Sequence, residues 1–256
     1  MQAMKTAAKK TGVFYGVGVG PGDPELMTLK ALRVLKAAQV IAVPRSSDTS
    51  SGGSSQALVV VRKVMELGDR DVLELMFPMV KDEDALRKSR ELAASKVMER
   101  LDSGLDVAFI TLGDPMLYST FSYLVPLVRN SAPGVEVRVV PGITSFSAAA
   151  CALVMPLAES SEKIIIIPAA YDISEIEECL KKPFDTVVLM KVNRIFDRLL
   201  ELLRVMGLED KAFFVARVGW PEEEVVTDLK SLKGRKLDYF STVIVKKGGA
   251  GSAGRG

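Results

Sequence analysis

Short apolar runs alternate with segments of helical periodicity along most of this chain, and that alternation limits the folds open to it. In the first half, five strand-like runs are separated by helical segments, which predicts a mostly parallel sheet. In the second half, four strand-like runs follow, with helices between the first three and a mixed stretch before the last. We therefore predict two α/β domains at 12–150 and 160–247, the first with a mostly parallel five-stranded sheet and the second with a mixed sheet. The tails at 1–11 and 248–256 are predicted to be disordered.

Three of the five strands predicted in the first domain end in glycine turns. The turns are GVGPGDP after the first strand, LGDP after the fourth and VPGITS after the fifth, so Gly-Asp-Pro occurs twice. In open α/β sheets, ligands bind beyond the carboxyl ends of the strands. Glycine turns also leave backbone N–H and C=O groups uncovered by side chains. The three turns are therefore expected to meet at one edge of the sheet and to bind a ligand there.

The first turn follows a strand and opens a helix, as in dinucleotide-binding proteins, but its spacing differs. The G-x-G-x-x-G pattern read from Gly16 ends at Pro21, and read from Gly18 it ends at Asp23. No Gly-Lys-Ser/Thr follows, so a phosphate-binding loop of the Walker type is absent as well. Nucleotide-hydride enzymes and P-loop enzymes are therefore disfavoured.

Composition excludes several further classes of protein. The chain has no histidine, the commonest metal ligand and general base near neutral pH, so we predict no metal site and no Ser-His or Cys-His nucleophile. Net charge is +2, and no Lys/Arg cluster predicts a nucleic-acid partner. No segment reaches the ~20 apolar residues of a membrane span. Two cysteines, Cys151 and Cys179, are typical of a reduced, cytoplasmic protein.

Three segments together closely resemble the tetrapyrrole methylase family, the S-adenosylmethionine-dependent enzymes of cobalamin and sirohaem synthesis. They are VGVGPGDPELMTLKALRVLKAAQVIAVP, LGDPMLYST and VVPGITSFSAAA, in that order, and the resemblance extends over about residues 12–247. The YST after Gly-Asp-Pro, the flexible Ser-rich loop at 48–56 and the ending YFSTVIVKK most resemble the branch that methylates carbon 20 of precorrin-2 or cobalt-factor II. Two alternatives stay open: a branch acting on uroporphyrinogen III or a later precorrin, and a non-catalytic cofactor-binding regulator of the same fold.

The resemblance implies that S-adenosylmethionine lies in a cleft between the two domains and leaves as S-adenosylhomocysteine. The residues that it assigns to the cofactor are Pro21, Leu112, Gly113, Asp114, Leu117, Tyr118, Ser119, Thr144, Ser145, Met190, Ala216 and Gly219. Many members have glycine where this chain has Leu112, and alanine where it has Ser145. For two of these residues a structural role is the alternative to cofactor contact: Asp114 as the cap of the next helix, and Met190 as part of the core.

The substrate implied by the resemblance is an anionic tetrapyrrole, and relatives are homodimers. A reduced meso carbon is itself nucleophilic, so alignment with the donor is the main requirement. No catalytic base stands out in the sequence. Five basic residues are candidates to bind substrate carboxylates: Arg45, Arg129, Lys191, Arg194 and Arg217. Arg45 and Lys191 are preferred, because each lies at or just after a predicted strand end.

Overall fold

A computed structural model describes residues 11–45, 55–78, 80, 82–168 and 172–248. The chain divides into two compact units, the first ending at Thr144 and the second starting at Ser145. The predicted tails, 1–11 and 248–256, and the predicted loop at 48–56 lie almost entirely outside the described residues.

The first unit is built on one five-stranded sheet in which all strands run parallel. Its strands are β1 (Phe14–Gly18), β2 (Val40–Arg45), β3 (Asp71–Met76), β4 (Val107–Thr111) and β5 (Val137–Val140), and its helices are α1 (Leu29–Ala37), α2 (Gln56–Val64), α3 (Glu83–Asp102) and α4 (Phe121–Ser131). The order across the sheet is β3-β2-β4-β1-β5. The prediction of a mostly parallel five-stranded sheet is confirmed.

This strand order contains a reversal at the centre of the sheet. From β1 the chain proceeds toward β2 and β3 on one side, and from β4 it crosses back to β5 on the other. In such sheets, ligands usually bind where the chain leaves two adjacent strands in opposite directions. The crevice lies at the carboxyl ends of those two strands. Here those ends are Gly18 and Thr111.

A glycine in β1 lets the first residue of α4 pack directly on the sheet. The ring of Phe121 is fully buried, with its centroid 5.1 Å from that of Phe14 and 5.8 Å from that of Phe109. A Cβ at Gly16 would lie 2.5 Å from Cζ of Phe121, so no side chain fits there. This packing fixes the start of α4, and with it the end of the turn that follows β4.

The second unit has a mixed sheet. Its strands are β6 (Ile164–Pro168), β7 (Thr186–Met190), β8 (Ala212–Ala216), β9 (Glu224–Val226) and β10 (Ser241–Lys246), and its helices are α5 (Ser145–Ala152), α6 (Ile173–Lys181) and α7 (Phe196–Val205). The order is β6-β7-β10-β8-β9, with β6 parallel to β7 and every other pair antiparallel. The predicted mixed sheet is confirmed.

Candidate functional site

The three glycine turns of the first unit contact one another through their backbones. The N–H of Gly113 donates to the carbonyl oxygen of Gly20 at 2.8 Å, and both residues have positive φ, 68° and 81°. A Cβ on Gly18 would lie 2.5 Å from the carbonyl oxygen of Gly113 and 2.7 Å from the nitrogen of Gly142. The turns therefore meet at one edge of the sheet, as predicted, and the close approach requires glycine at its centre.

Asp114 joins two of these turns through its carboxylate. Oδ2 accepts a hydrogen bond from the N–H of Gly142 at 3.0 Å, and Oδ1 accepts one from the N–H of Met116 at 2.8 Å. Helix α4 starts at Phe121, with Thr120 at its cap position, so the expectation that Asp114 caps this helix is wrong. The aspartate of the other Gly-Asp-Pro turn, Asp23, bonds locally to the N–H of Glu25 at 2.8 Å.

These contacts determine which ligand chemistry the edge suits. A phosphate site needs several backbone N–H groups directed at the ligand. Here the N–H groups of Gly113 and Gly142 are already bonded within the turns. The centre of the edge is therefore unsuited to a phosphate.

The turn from β4 into α4 separates a buried hydroxyl from an exposed ring. Ser119 is 6% exposed; its Oγ donates to Oγ1 of Thr111 and accepts from the N–H of Phe121, both at 3.2 Å. Tyr118 has φ of 49°, a left-handed conformation that is rare outside glycine, and is 49% exposed. The N–H of Leu117 donates to the carbonyl oxygen of Asp114 at 3.4 Å. The serine thus holds the turn in place while the tyrosine ring faces outward.

The remaining predicted residues of the first unit follow the ends of its strands. Pro21 is buried after β1, while Leu112 and Thr144 are half-buried after β4 and β5. Arg45 ends β2 at the same edge, and its Nη1 lies 2.6 Å from Oε2 of Glu74, so its charge is already partly paired. Arg129 lies in the last turn of α4, which leads to the start of β5, so the structure does not bring it to this edge.

Met190 and Ala216 are the last residues of β7 and β8 in the second unit. Both strands pair antiparallel with β10, so their carboxyl ends lie at the edge where β10 begins. Lys191 follows Met190 there, and Gly219, with φ of 78°, donates its N–H to Oε2 of Glu223 at 2.7 Å. The structure thus brings the predicted residues of β7 and β8 together. Ser145, half-buried, opens helix α5.

The described ranges contain neither a membrane-spanning helix nor a metal-binding cluster. No helix there is long and apolar enough to cross a membrane. No group of three or more His, Cys, Asp or Glu side chains in the same ranges is arranged to hold a metal ion.

Residues 13–233 match the family model of the Tetrapyrrole (Corrin/Porphyrin) Methylases. A Methanocaldococcus jannaschii protein named probable cobalt-precorrin-2 C(20)-methyltransferase is 39% identical over 91% of this chain and 95% of its own length. The cobalt-precorrin-2 C(20)-methyltransferase of Salmonella typhimurium is 35% identical over 92% of this chain and 97% of its own.

Solved structures share the fold at lower identity. A cobalt-precorrin-4 methyltransferase of cobalamin biosynthesis superposes with a TM-score of 0.68 and 22% identity, covering 91% of this chain and 94% of the other. A uroporphyrin-III C-methyltransferase from Thermus thermophilus, complexed with S-adenosylhomocysteine, has a TM-score of 0.65 and 23% identity, covering 92% and 98%. The predicted architecture of two α/β domains of the class III methyltransferase type is confirmed.

Proposed function

Because this chain belongs to the tetrapyrrole methylase family, we propose that it is the S-adenosylmethionine-dependent methyltransferase that acts on carbon 20 of precorrin-2 or of its cobalt form in cobalamin biosynthesis. The observation that carries the proposal is the identity of 39% and 35% over more than nine-tenths of two relatives named for that activity. A relative at 30% identity is named precorrin-2 C(20)-methyltransferase, without cobalt, so both forms of the substrate belong in the proposal.

The edge built by the glycine turns fits S-adenosylmethionine. When bound, this cofactor supplies an electrophilic methyl group on a positively charged sulfur. The central N–H groups of the edge are bonded internally, and a Cβ at Gly18 or Gly142 would collide with the backbone of a neighbouring turn. We propose that the cofactor is held by the predicted residues of this edge, Pro21, Leu112, Gly113, Asp114, Leu117, Tyr118, Ser119 and Thr144. For Ser145, Met190, Ala216 and Gly219, the assignment to the cofactor stays a prediction from the resemblance.

The chain's own contribution to the reaction is to align the two reactants. The hydrogen bonds from Gly142 to Asp114 and from Gly113 to Gly20 fix the turns before any ligand binds. The loops therefore lose little conformational freedom when the ligand binds. Such pre-organisation converts binding energy into a productive approach of the reacting atoms. Arg45 and Lys191 are proposed to pair with substrate carboxylates. No residue is assigned as the base that removes the meso proton.

The assembly and location of the enzyme are also proposals. The resemblance to the family supports a homodimer, and light scattering of the purified protein tests it. Both Cys151 and Cys179 are free thiols, which is in keeping with a cytoplasmic protein. Fractionation of the source cells tests the location.

Anaerobic methylation assays test the function. S-adenosylmethionine is supplied with precorrin-2, its cobalt form or uroporphyrinogen III in separate reactions, and the product is identified by mass and by the position of the new methyl group. One methyl on carbon 20 of either of the first two supports the proposal. Methylation of uroporphyrinogen III alone contradicts it and favours another branch of the family. S-adenosylhomocysteine binding without any turnover favours the regulator.

A further inference from the structure

Two basic residues with strained backbones flank the start of β10. Lys191, directly after β7, has φ of 61°, and Arg217, directly after β8, has φ of 48°. Both lie in the left-handed region, which side chains other than glycine, asparagine and aspartate enter at a cost. Glycine would relieve the strain at both positions. Both residues carry a positive charge, and both directly follow strands that pair with β10. Strain retained at two such residues indicates that their side chains bind a ligand.

The backbone fixes the spacing of these two residues. The N–H of Lys191 donates to the carbonyl oxygen of Ser241 at 2.8 Å, and the N–H of Arg217 donates to that of Phe240 at 2.9 Å. Strands β7 and β8 therefore hold the two residues on either side of β10. Neighbouring strands lie about 4.8 Å apart, so the Cα atoms of Lys191 and Arg217 are about 10 Å apart. That separation suits two carboxylates carried on different side chains of one ligand.

Lys191 and Arg217 differ in the neighbouring groups that contact their charges. The Nζ of Lys191 lies 5.4 Å from the ring centroid of Tyr239, and among the described residues it has no acidic partner. Arg217 donates through Nε to Oδ2 of Asp238 at 2.8 Å, and both side chains are 29% exposed. Within the described part of the chain, its Nη groups have no hydrogen-bond acceptor. Both cations therefore keep donors for a further anion.

The hydroxyl of Ser241, the first residue of β10, is buried and has no hydrogen-bond partner among the described residues. A buried polar group without a partner costs free energy, and such groups are rare in folded proteins. Strain at two residues and an unpartnered hydroxyl between them set this edge apart from the rest of the second sheet.

We infer that Lys191 and Arg217 form a two-point site for carboxylate groups of the substrate, in which Tyr239 positions the ammonium group and Asp238 positions the guanidinium group. The inference rests on the proposed function for the identity of the ligand, a tetrapyrrole carrying several carboxylates. Of the five basic candidates in the sequence, it pairs Lys191 with Arg217 rather than with Arg45, and it gives Tyr239 and Asp238 positioning roles. Tyr239 belongs to the ending YFSTVIVKK, but its contact with Lys191 could not be predicted from the sequence.

Glycine variants test the site without threatening the fold. Lys191→Gly removes a charge and relieves the strain, so it is expected to raise the midpoint of thermal unfolding by about 2–4 °C. Arg217→Gly relieves the same strain but loses the ion pair with Asp238, so its midpoint is expected to change little. Each variant is expected to raise the KM for the tetrapyrrole about tenfold, which corresponds to the loss of one charged contact, while the KM for S-adenosylmethionine stays unchanged.

Two control variants accompany them. Lys191→Arg keeps the charge and should have a KM for the tetrapyrrole close to that of wild type. Val154→Gly is the matched control, since Val154 has φ of 49° and is 91% exposed; it should gain stability with no change in KM.

Binding measured apart from turnover separates this inference from the proposed function. Uroporphyrin III, a stable tetrapyrrole with several carboxylates, is titrated against the fluorescence of Trp220, the only tryptophan. The site is supported if wild type binds the porphyrin more tightly than either glycine variant does, and if this difference disappears with the methyl ester of the porphyrin. This result supports the site even if no methylation is found. Equal binding to wild type and variants overturns the inference, and so does a rise in the KM for S-adenosylmethionine alone.

Discussion

The carboxylate of Asp114 accepts a hydrogen bond at 3.0 Å from the backbone N–H of Gly142, 28 positions further along the chain. This bond joins the turn after β4 to the turn after β5. The other Gly-Asp-Pro aspartate, Asp23, makes a hydrogen bond to the N–H of Glu25, two positions away. Two turns with the same three residues thus have different roles, and the second connects the loops of the proposed cofactor site.

Asp114→Ala is expected to weaken S-adenosylhomocysteine binding by more than about tenfold and to lower the free energy of unfolding by about 1–3 kcal/mol, because two backbone N–H groups lose a charged acceptor. Calorimetry and urea unfolding measure the two effects. Asp23→Ala is the matched control: it loses a local turn contact of about 1 kcal/mol and should bind the ligand normally. If both variants bind equally well, the bond to Gly142 has no part in the site.

Gly142→Ala is expected to disrupt the meeting of the turns. The added Cβ would collide with the carbonyl oxygen of Gly113 and lie 2.9 Å from Cα of Gly18, both of them backbone atoms that cannot rotate away. We expect a loss of at least about 1–3 kcal/mol in unfolding free energy, the usual range for overpacking, together with loss of cofactor binding. Gly134→Ala is the control, because a Cβ there meets no atom within 4 Å. Unchanged stability and binding in Gly142→Ala would contradict the observed packing.

Ser119→Ala is expected to destabilise the start of α4. The N–H of Phe121 would lose its buried acceptor, at a cost of about 1–3 kcal/mol. Ser122→Ala is the comparison, because Ser122 is exposed and its hydroxyl donates to the carbonyl oxygen of Ser119, which stays in place. Urea unfolding should separate the two variants clearly. Equal stability would mean that the buried hydroxyl does not fix the turn.

The ion pair between Glu162 and the buried Lys246 should make stability depend on pH. A hydrogen bond from Nζ of Lys246, 2.5 Å from Oε2, and one from the N–H of Glu159 hold the pKa of Glu162 below its ordinary value of about 4.3. A lowered pKa adds stability above the unfolded value, and this stability is lost as the pH falls through the folded value.

Glu162→Gln should therefore be less stable than wild type at pH 6, and the difference should shrink as the pH falls below about 4. Urea unfolding at several pH values measures the difference. Glu222→Gln, at an exposed carboxylate with no ion pair among the described residues, controls for the change in net charge. A difference that does not vary with pH would show that the ion pair does not stabilise the fold.

Most strands followed from short apolar runs, which in β4 and β10 are buried at every position, and most helices followed from hydrophobic periodicity. Strand β9 was not predicted, because Glu224–Val226 lies in a stretch of mixed character. Helix α5 was not predicted: its sequence, SFSAAACA, consists mostly of small residues and shows no amphipathic stripe. The convergence of the turns was predicted from strand ends. The bond from Asp114 to Gly142 was not, because it depends on strand order, and the strained conformations of Lys191 and Arg217 leave no trace in the residue types.

The order of strands in the first sheet also affects how the protein is made. Strands β1 and β2 do not pair with each other; Phe14 and Val40 both pair with Val107, in β4. A nascent chain that has not yet reached β4 therefore carries two apolar strands with open edges, and such species aggregate readily. The first unit is consequently expected to fold late during synthesis and slowly, and ribosome-bound chains ending before β4 should be substrates for chaperones.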